Sequence, residues 1–529
     1  MPTDCISFQD SGYFSPLIVD YLNQHPNLKD LYHRFPTLQN FKLQAQEKQQ
    51  NYPAHHRAVL ADALTQQYTS LEPYIITQQN IELLRKDNTF TVVTGHQLNL
   101  FTGPLYFLYK IVSTINLAKQ LKMAYPEYNF VPVYWMATED HDFEEINYFN
   151  FRDKKIKWNR ESNGPVGRLN NDGLDAVLNA FATELGPGNN AKWLTELFEN
   201  AYLKHSNLAD ATRYLANKLF GKHGLVIVDG DDIALKTLFA PYVQEELLSQ
   251  SSHQKVAQAT ELLKDYNIQV NPREINLFYI EDTLRERIVF EGGVYRVNNT
   301  GITFTKDEII AEVKANPEKF SPNVIMRPLY QEVILPNLCY IGGGGELAYW
   351  LELKAFFAYS GVTFPILLLR NSVLVATQKQ ADKLDKLGLS WADVFKKQPD
   401  LLNNKVQELS EFKLDFTEQK QFLTAQFEKL AAMAEKTDST FTGAVKAQEL
   451  KQLKGLGNLE KRLLKAEKRH HTDSLARIAA LQNELFPNHS LQERRDNFSA
   501  LYLEYDGKLI DALFANQKPL EQEFNVVVL

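Results

Sequence analysis

The chain has 529 residues, 44% of them hydrophobic and 23% charged, and a net charge of −8. That profile fits an ordinary globular protein of two or three domains and gives no reason to expect a nucleic-acid partner. No apolar run approaches the ~20 residues of a membrane span, and two cysteines, Cys5 and Cys339, cannot build a disulfide framework or a thiolate zinc site. The opening MPTDCISFQD lacks the basic-then-apolar order of a signal peptide, so a cytoplasmic location is expected.

Residues 1–88 are polar and helical in pattern, with prolines at 26, 36, 53 and 73, and are expected to pack as a helical segment on a core spanning 89–375. Within that core, FTVV (90–93) and FVPVYWMA (130–137) are short runs of β-branched and aromatic residues that predict buried strands. Between them Pro104 opens a helix whose apolar positions Leu105, Leu108, Val112, Ile115 and Ala118 follow the helical repeat. GLVIVDGDD (224–232) and FPILLLR (364–370) supply two more buried strands, each after a helical segment. The predicted fold class is α/β, a Rossmann-like parallel sheet. Insertions interrupt it near 150–205, where glycine- and asparagine-rich runs suggest no sheet, and near 285–320, where a hairpin turns at Gly292-Gly293.

Past residue 376 the composition changes. Two stretches rich in Lys, Glu, Gln, Leu and Ala, 403–437 and 443–485, predict a helical hairpin forming an antiparallel coiled coil over 376–485, with 436–443 as its turn. Leu453, Leu456, Leu459, Leu463 and Ala466 form its stripe, weakened by Gly455 and Gly457 and resumed by Leu475, Ile478, Leu481 and Leu485. The remaining segment, 486–529, is expected to return to the core.

The chemistry is concentrated at strand ends. In a β-α-β unit both strands are parallel, so their carboxyl ends share one edge, where ligands bind. Thr94, Gly95, His96 and Gln97 therefore lie beside TEDHDFEEIN (138–147), which brings Asp140, His141 and Asp142. These three are the candidate acid/base group. Gly95 and Gly103 suit close backbone approach to a ligand, and Tyr106 and Lys110 lie on the following helix. Asp140, His141, Asp142 and Glu145 also offer metal-ligand atoms. No second histidine-rich segment completes a shell, so no metal is predicted.

A second group comes from YIGGGGELAYW (340–350). Gly343, Gly344 and Gly345 lead from a strand into a helix carrying Glu346, a turn whose N–H groups can bind an anion. Arg327 and Gln331 precede it, and Arg370 and Asn371 close the next strand, where arginine commonly holds a carboxylate. Arg494 and Arg495 are candidate nucleotide contacts, the alternative being surface charge. No nucleophile elbow, Walker loop, HExxH or GxGxxG after the first strand is present.

TGHQLNLFTGPLYFLYK, VPVYWMATEDHDFEEIN, HGLVIVDGDD, FSPNVIMRPLYQE, YIGGGGELAYWLEL and LFPNHSLQERRDNF, in this order and across nearly the whole chain, resemble the bacillithiol biosynthesis cysteine-adding enzymes, the BshC family of cysteine ligases. His96 stands where the family pattern carries a second glutamine, and Gly344 where it carries proline. The resemblance implies a Rossmann-like core and a coiled coil that makes a homodimer. It also implies the last step of bacillithiol synthesis, in which cysteine is joined to glucosaminyl malate through an amide bond. ATP is the expected source of activation, giving ATP or ADP as the ligand. Two other classes fit the same core: a different nucleotidyl- or acyl-transferring enzyme, or a non-catalytic nucleotide-binding dimeric scaffold.

Overall fold

Strands that are apolar along their whole length need cover on both faces, which a parallel sheet flanked by helices provides. In the computed structural model, which describes residues 4–437 and 439–529, five such strands form one sheet. They are β1 (Thr89–His96), β2 (Asn129–Met136), β3 (Val226–Asp229), β4 (Asn337–Gly342) and β5 (Ile366–Leu369). Their order is β5-β4-β1-β2-β3, and every pairing is parallel. The Rossmann-like prediction therefore describes the sheet. From β1 the chain winds outward through β2 to β3, then crosses back to β4 and β5. The direction of winding thus reverses between β1 and β4, which makes a crevice at their carboxyl ends.

Helix α1 (Tyr106–Ala124) packs on β1 and β2. It is reached through a turn in which three successive residues, Phe101, Thr102 and Gly103, have φ of 49°, 71° and 63°. Such backbone is costly for phenylalanine and threonine and persists only when its surroundings hold it. Phe101 is fully buried among Phe149, Phe181, Phe198 and Phe498. Asn497 Nδ2 donates to the Phe101 and Gly103 carbonyls at 2.7 and 2.6 Å. A side chain at position 103 would collide with Asn99, 2.6 Å from its Cβ. Gly103 thus shapes this turn.

Both insertions are more ordered than their composition suggests. Tyr148–Phe151 pairs antiparallel with Lys154–Lys157, a small sheet where none is expected. Its signal is the two-residue period of the buried Phe149 and Phe151. Helices Leu174–Leu185 and Asn189–Tyr202 follow. The second insertion contains the expected hairpin, Leu284–Glu291 with Val294–Val297 turning at Gly292 and Gly293. It belongs to a five-stranded antiparallel sheet that also includes Leu277–Glu281, Thr303–Phe304 and Phe320–Pro322.

The core forms one compact unit with Ser490–Leu529. Phe41 and Ala45 of helix Leu38–Asn51 pack into the cluster around Phe90, Leu117 and Ile341. At the other end of the chain, Glu493 receives a two-pronged ion pair from Arg370, Nη1 at 3.1 Å and Nη2 at 2.6 Å. Both residues are buried.

Within the second unit, which contains Ala376–His489, the shorter helices Gln378–Lys386 and Trp391–Phe395 precede Gln398–Leu409, Thr417–Ala434, Ser439–His470 and Thr472–Leu485. The first predicted stretch is broken at 410–416, where Leu414 drops into a cluster with Val406 and Leu475. The second runs straight through Gly455 and Gly457 but is interrupted at His471. The expected turn at 436–443 is shorter, since the helix already begins at Ser439. Asp438, part of that turn, lies outside the described residues. Phe427, Ala434 and Val445 make the seam of the hairpin.

The Arg370–Glu493 pair generates a stability prediction. Glu493→Ala strands a buried guanidinium and costs about 3–5 kcal/mol of unfolding free energy. Chemical denaturation checks it, and a change below about 1 kcal/mol contradicts a structural role for the pair.

Candidate active site

The crevice at the winding reversal is a cleft of about 640 Å³. The carboxyl ends of β1, β2 and β4 form its floor, and the antiparallel sheet supplies a wall through Phe278, Arg285 and Arg287. β1 and β2 end in register, Gly95 opposite Trp135 and His96 opposite Met136. The loops that follow therefore start side by side.

The acidic edge is built on the β2 loop. Gln97 Nε2 donates to Asp140 Oδ2 and to Glu145 Oε2, each at 3.0 Å, which ties the two loops together. Asp140 Oδ1 accepts the His141 backbone N–H at 2.7 Å. Asp142 precedes the short helix Phe143–Ile146 without capping it. Burial, and then the neighbouring Asp140 charge, raise its pKa above the usual aspartate range. Glu139 is buried and pairs with Lys236 at 2.7 Å. Burial pushes its pKa up, opposed by that lysine.

Behind this edge lies a charge network. Arg168 clamps Asp231 with Nε at 2.7 Å and Nη2 at 2.9 Å. Lys236 reaches Asp231 at 3.2 Å, and Thr138 Oγ1 bonds to Asp229. VDGDD thus braces the β2 loop from the neighbouring strand.

On the β4 side, the helix Gly344–Leu351 follows the glycine run. Glu346 fills its N-terminus, one carboxylate oxygen accepting the Gly343 N–H at 2.9 Å. The other pairs with Lys110, whose Nζ also donates to the Gly95 carbonyl at 2.8 Å. Burial pulls Lys110 below the usual lysine range, and Glu346 opposes the shift. Of the anion site predicted at Gly343, Gly344 and Gly345, the Gly343 N–H is therefore taken by a carboxylate of the chain itself.

Arg327 is different. It lines the cleft, and its hydrogen bonds go to neutral groups: Nη1 to Gln331 Oε1 at 3.0 Å and Nη2 to the Tyr349 hydroxyl at 3.3 Å. The guanidinium stands over the Tyr340 ring, 5.7 Å from its centre. Gln331 is fixed from behind, since its Nε2 donates to Glu332 at 3.0 Å and Glu332 is paired with Lys48 at 3.3 Å. Among the described residues no carboxylate forms an ion pair with Arg327, so its charge is available to an anion in the cleft.

Of the residues predicted from sequence, Gly95, His96, Gln97, Tyr106, Asp140, His141, Asp142, Arg327 and Glu346 border this one cleft. His96 is buried against Tyr106 and Phe107, and its Nε2 has no protein partner. Burial, and then the Lys110 charge, hold it far below the usual histidine range, so it is neutral. Thr94 is a strand link, donating to the Ile341 carbonyl at 2.8 Å. Gln331 stands behind Arg327, and Gly103 belongs to the Phe101 turn. The carboxylate held by Arg370 is Glu493, and Asn371 is bound by Ser113 and the Lys518 carbonyl. Arg494 is exposed, Arg495 lies 3.8 Å from Asp153, and neither borders the cleft.

Sequence reasoning missed Arg285 and Arg287. Their spacing of two on a strand places both on one face, a signal present in RERIVF. The metal reading of Asp140, His141 and Asp142, whose ligand atoms lie within 4.8 Å of one another, meets the Arg285 guanidinium. Its Nη1 lies 2.6 Å from His141 Nδ1 and takes up that lone pair.

The family model for the N-terminal Rossmann-like domain of bacillithiol biosynthesis BshC matches residues 1–371, and the model for its C-terminal coiled-coil domain matches 373–529. A relative from Flavobacterium johnsoniae named "Putative cysteine ligase BshC" is 62% identical over 529 residues, covering 100% of both chains. Relatives of the same name come from Christiangramia forsetii, 56% identical with 100% of this chain and 99% of the relative covered, and from Bacillus mycoides, 29% identical with 90% and 91% covered. The chain belongs to the BshC family of bacillithiol biosynthesis.

Proposed function

We propose that the protein is a cysteine ligase of bacillithiol biosynthesis that joins the carboxyl group of L-cysteine to the amine of glucosaminyl malate, completing the thiol. The observation that carries this reading is Arg327, a cleft guanidinium with only neutral partners, facing an acidic edge of Asp140 and Asp142. A substrate with a carboxylate at one end and an amine at the other matches that separation of charge. Arg327 takes the malate carboxylates, and the acidic edge receives the amines.

Amide formation from a free carboxylate needs an activated carboxyl, and ATP is the proposed source. The amine then forms the C–N bond, the activating phosphate-bearing group leaves the carboxyl carbon, and the amine proton passes to a base. Asp142 suits that role, because partial loss of hydration and the Asp140 charge make it more basic than an ordinary aspartate. Asp140 is committed to Gln97 and the His141 N–H and holds the loop. The activity belongs to the cytoplasm, where both substrates are small metabolites.

Asp142→Asn is expected to lower ligation by about 10²–10⁴-fold, and Asp140→Asn and His141→Ala to abolish bacillithiol in cells, with the melting temperature kept in Asp142→Asn and His141→Ala. Thiol analysis of complemented deletion strains, beside melting curves of the purified variants, checks this. Normal thiol in all three moves the chemistry out of the cleft, and matching losses of thiol and melting temperature make the acidic edge a structural element.

The second unit is proposed to hold a homodimer. Support comes from large apolar side chains left outside the hairpin seam, with Phe422 70%, Leu450 69% and Met433 64% exposed, more than a solitary hairpin needs to show water. Changing these three to aspartate is expected to halve the mass measured by light scattering. A mass unchanged by the substitutions places the interface elsewhere.

A further inference from the structure

Arg285 reaches the cleft from the antiparallel sheet, a segment to which no role in the chemistry has been assigned. Its guanidinium lies over Phe278, 4.0 Å from the ring centre. Weak contacts at 3.5 Å to Ser321 Oγ and the Pro322 carbonyl steady the other nitrogens. Burial lowers its pKa, and Asp140, Glu139 and Asp142 oppose that, so the group stays charged. Nη1 lies 2.6 Å from His141 Nδ1.

A guanidinium has donors only. At that distance Nδ1 must offer its lone pair, and a proton there would face another N–H. On the opposite side of the ring, Nε2 lies 4.0 Å from Asp142 Oδ1, an environment that favours N–H. Asp140 Oδ1, 3.8 Å from Nδ1, is already engaged by the His141 backbone N–H and is too far to displace the arginine. The Phe278 ring lies 5.6 Å away. Cation on one side and carboxylate on the other select the same tautomer.

We propose that Arg285 is a positioning residue that holds His141 as a neutral imidazole with its proton on Nε2, so that His141 serves the cleft as a hydrogen-bond donor and not as its base. The donor role rests on the cysteine-ligase reading of the cleft, where Nε2–H would polarise the reacting carboxyl oxygen. The tautomer itself rests only on geometry. The arrangement leaves proton removal to Asp142 and gives the antiparallel sheet a part in the chemistry.

The test uses full-length protein labelled with ¹⁵N-histidine, read by long-range ¹H–¹⁵N correlation, with His141 assigned by the signals lost in His141→Gln. The expected pattern is a protonated Nε2 and an unprotonated, hydrogen-bonded Nδ1 at neutral pH. Arg285→Met should move these signals toward tautomer averaging, and Arg285→Lys, which still donates, should restore much of the pattern. A proton on Nδ1 in the unsubstituted protein overturns the proposal, and so does an identical pattern in Arg285→Met. The unsubstituted spectrum decides the tautomer even if the methionine variant fails to fold. With purified enzyme, Arg285→Met is expected to lower kcat about tenfold or more at little changed KM, with partial recovery in Arg285→Lys. Full kcat in Arg285→Met, with the tautomer as stated, overturns the donor role and leaves the ligase reading to the aspartate variants.

Discussion

A lysine taken out of water must find a counter-charge or give up its own, and Lys110 finds Glu346 across the reversal in the sheet. Lys110 stands on the helix after β1, and Glu346 on the helix after β4. The same ammonium binds the Gly95 carbonyl, and the same carboxylate caps the helix that carries it. One ion pair therefore fixes both banks of the crevice and supplies an anion to the glycine turn. Arg327 lines the cleft with hydrogen bonds to neutral groups, and in the proposed function it receives the anion.

Charge is sorted around this pair. Carboxylates gather on the β2 loop, held from behind by Arg168 and Lys236, while guanidinium groups approach from the opposite wall. Like charges held close together are costly, and two aspartates of the VDGDD segment are offset by cations, Asp229 by Arg213 and Asp231 by Arg168 and Lys236, while Asp232 caps the helix that follows. The network lets Asp140 and Asp142 stand together near the surface of the site without the loop springing open.

Much of this was legible in the chain before folding. Apolar runs at 90–93, 130–137, 224–232 and 364–370 mark sheet strands because strands covered on both faces have no polar alternation to disguise them. TGHQ and TEDHD meet because parallel strands end at one edge. What could not be read is how charges pair over long separations. Arg370 and Arg327 look alike in sequence, each a lone arginine near an apolar run. One forms an ion pair with Glu493, 123 residues away, and the other forms none among the described residues. Likewise the glycine run suggests an open anion site until Glu346 folds back onto the Gly343 N–H. The break at 410–416 was equally hidden, since Leu414 is drawn out of the helix by a pocket that forms only when Val406 and Leu475 come together.

In the proposed function Arg327 is the receiver of an anionic substrate in this cleft. Calorimetric titration of glucosaminyl malate into the unsubstituted protein and into Arg327→Met measures that directly, because methionine keeps most of the volume and removes only the charge and its donors. Loss of a charge-assisted contact predicts binding weaker by about tenfold or more, with glucosaminides lacking the malate group insensitive to the change. Equal affinity of the two proteins for glucosaminyl malate would contradict the account.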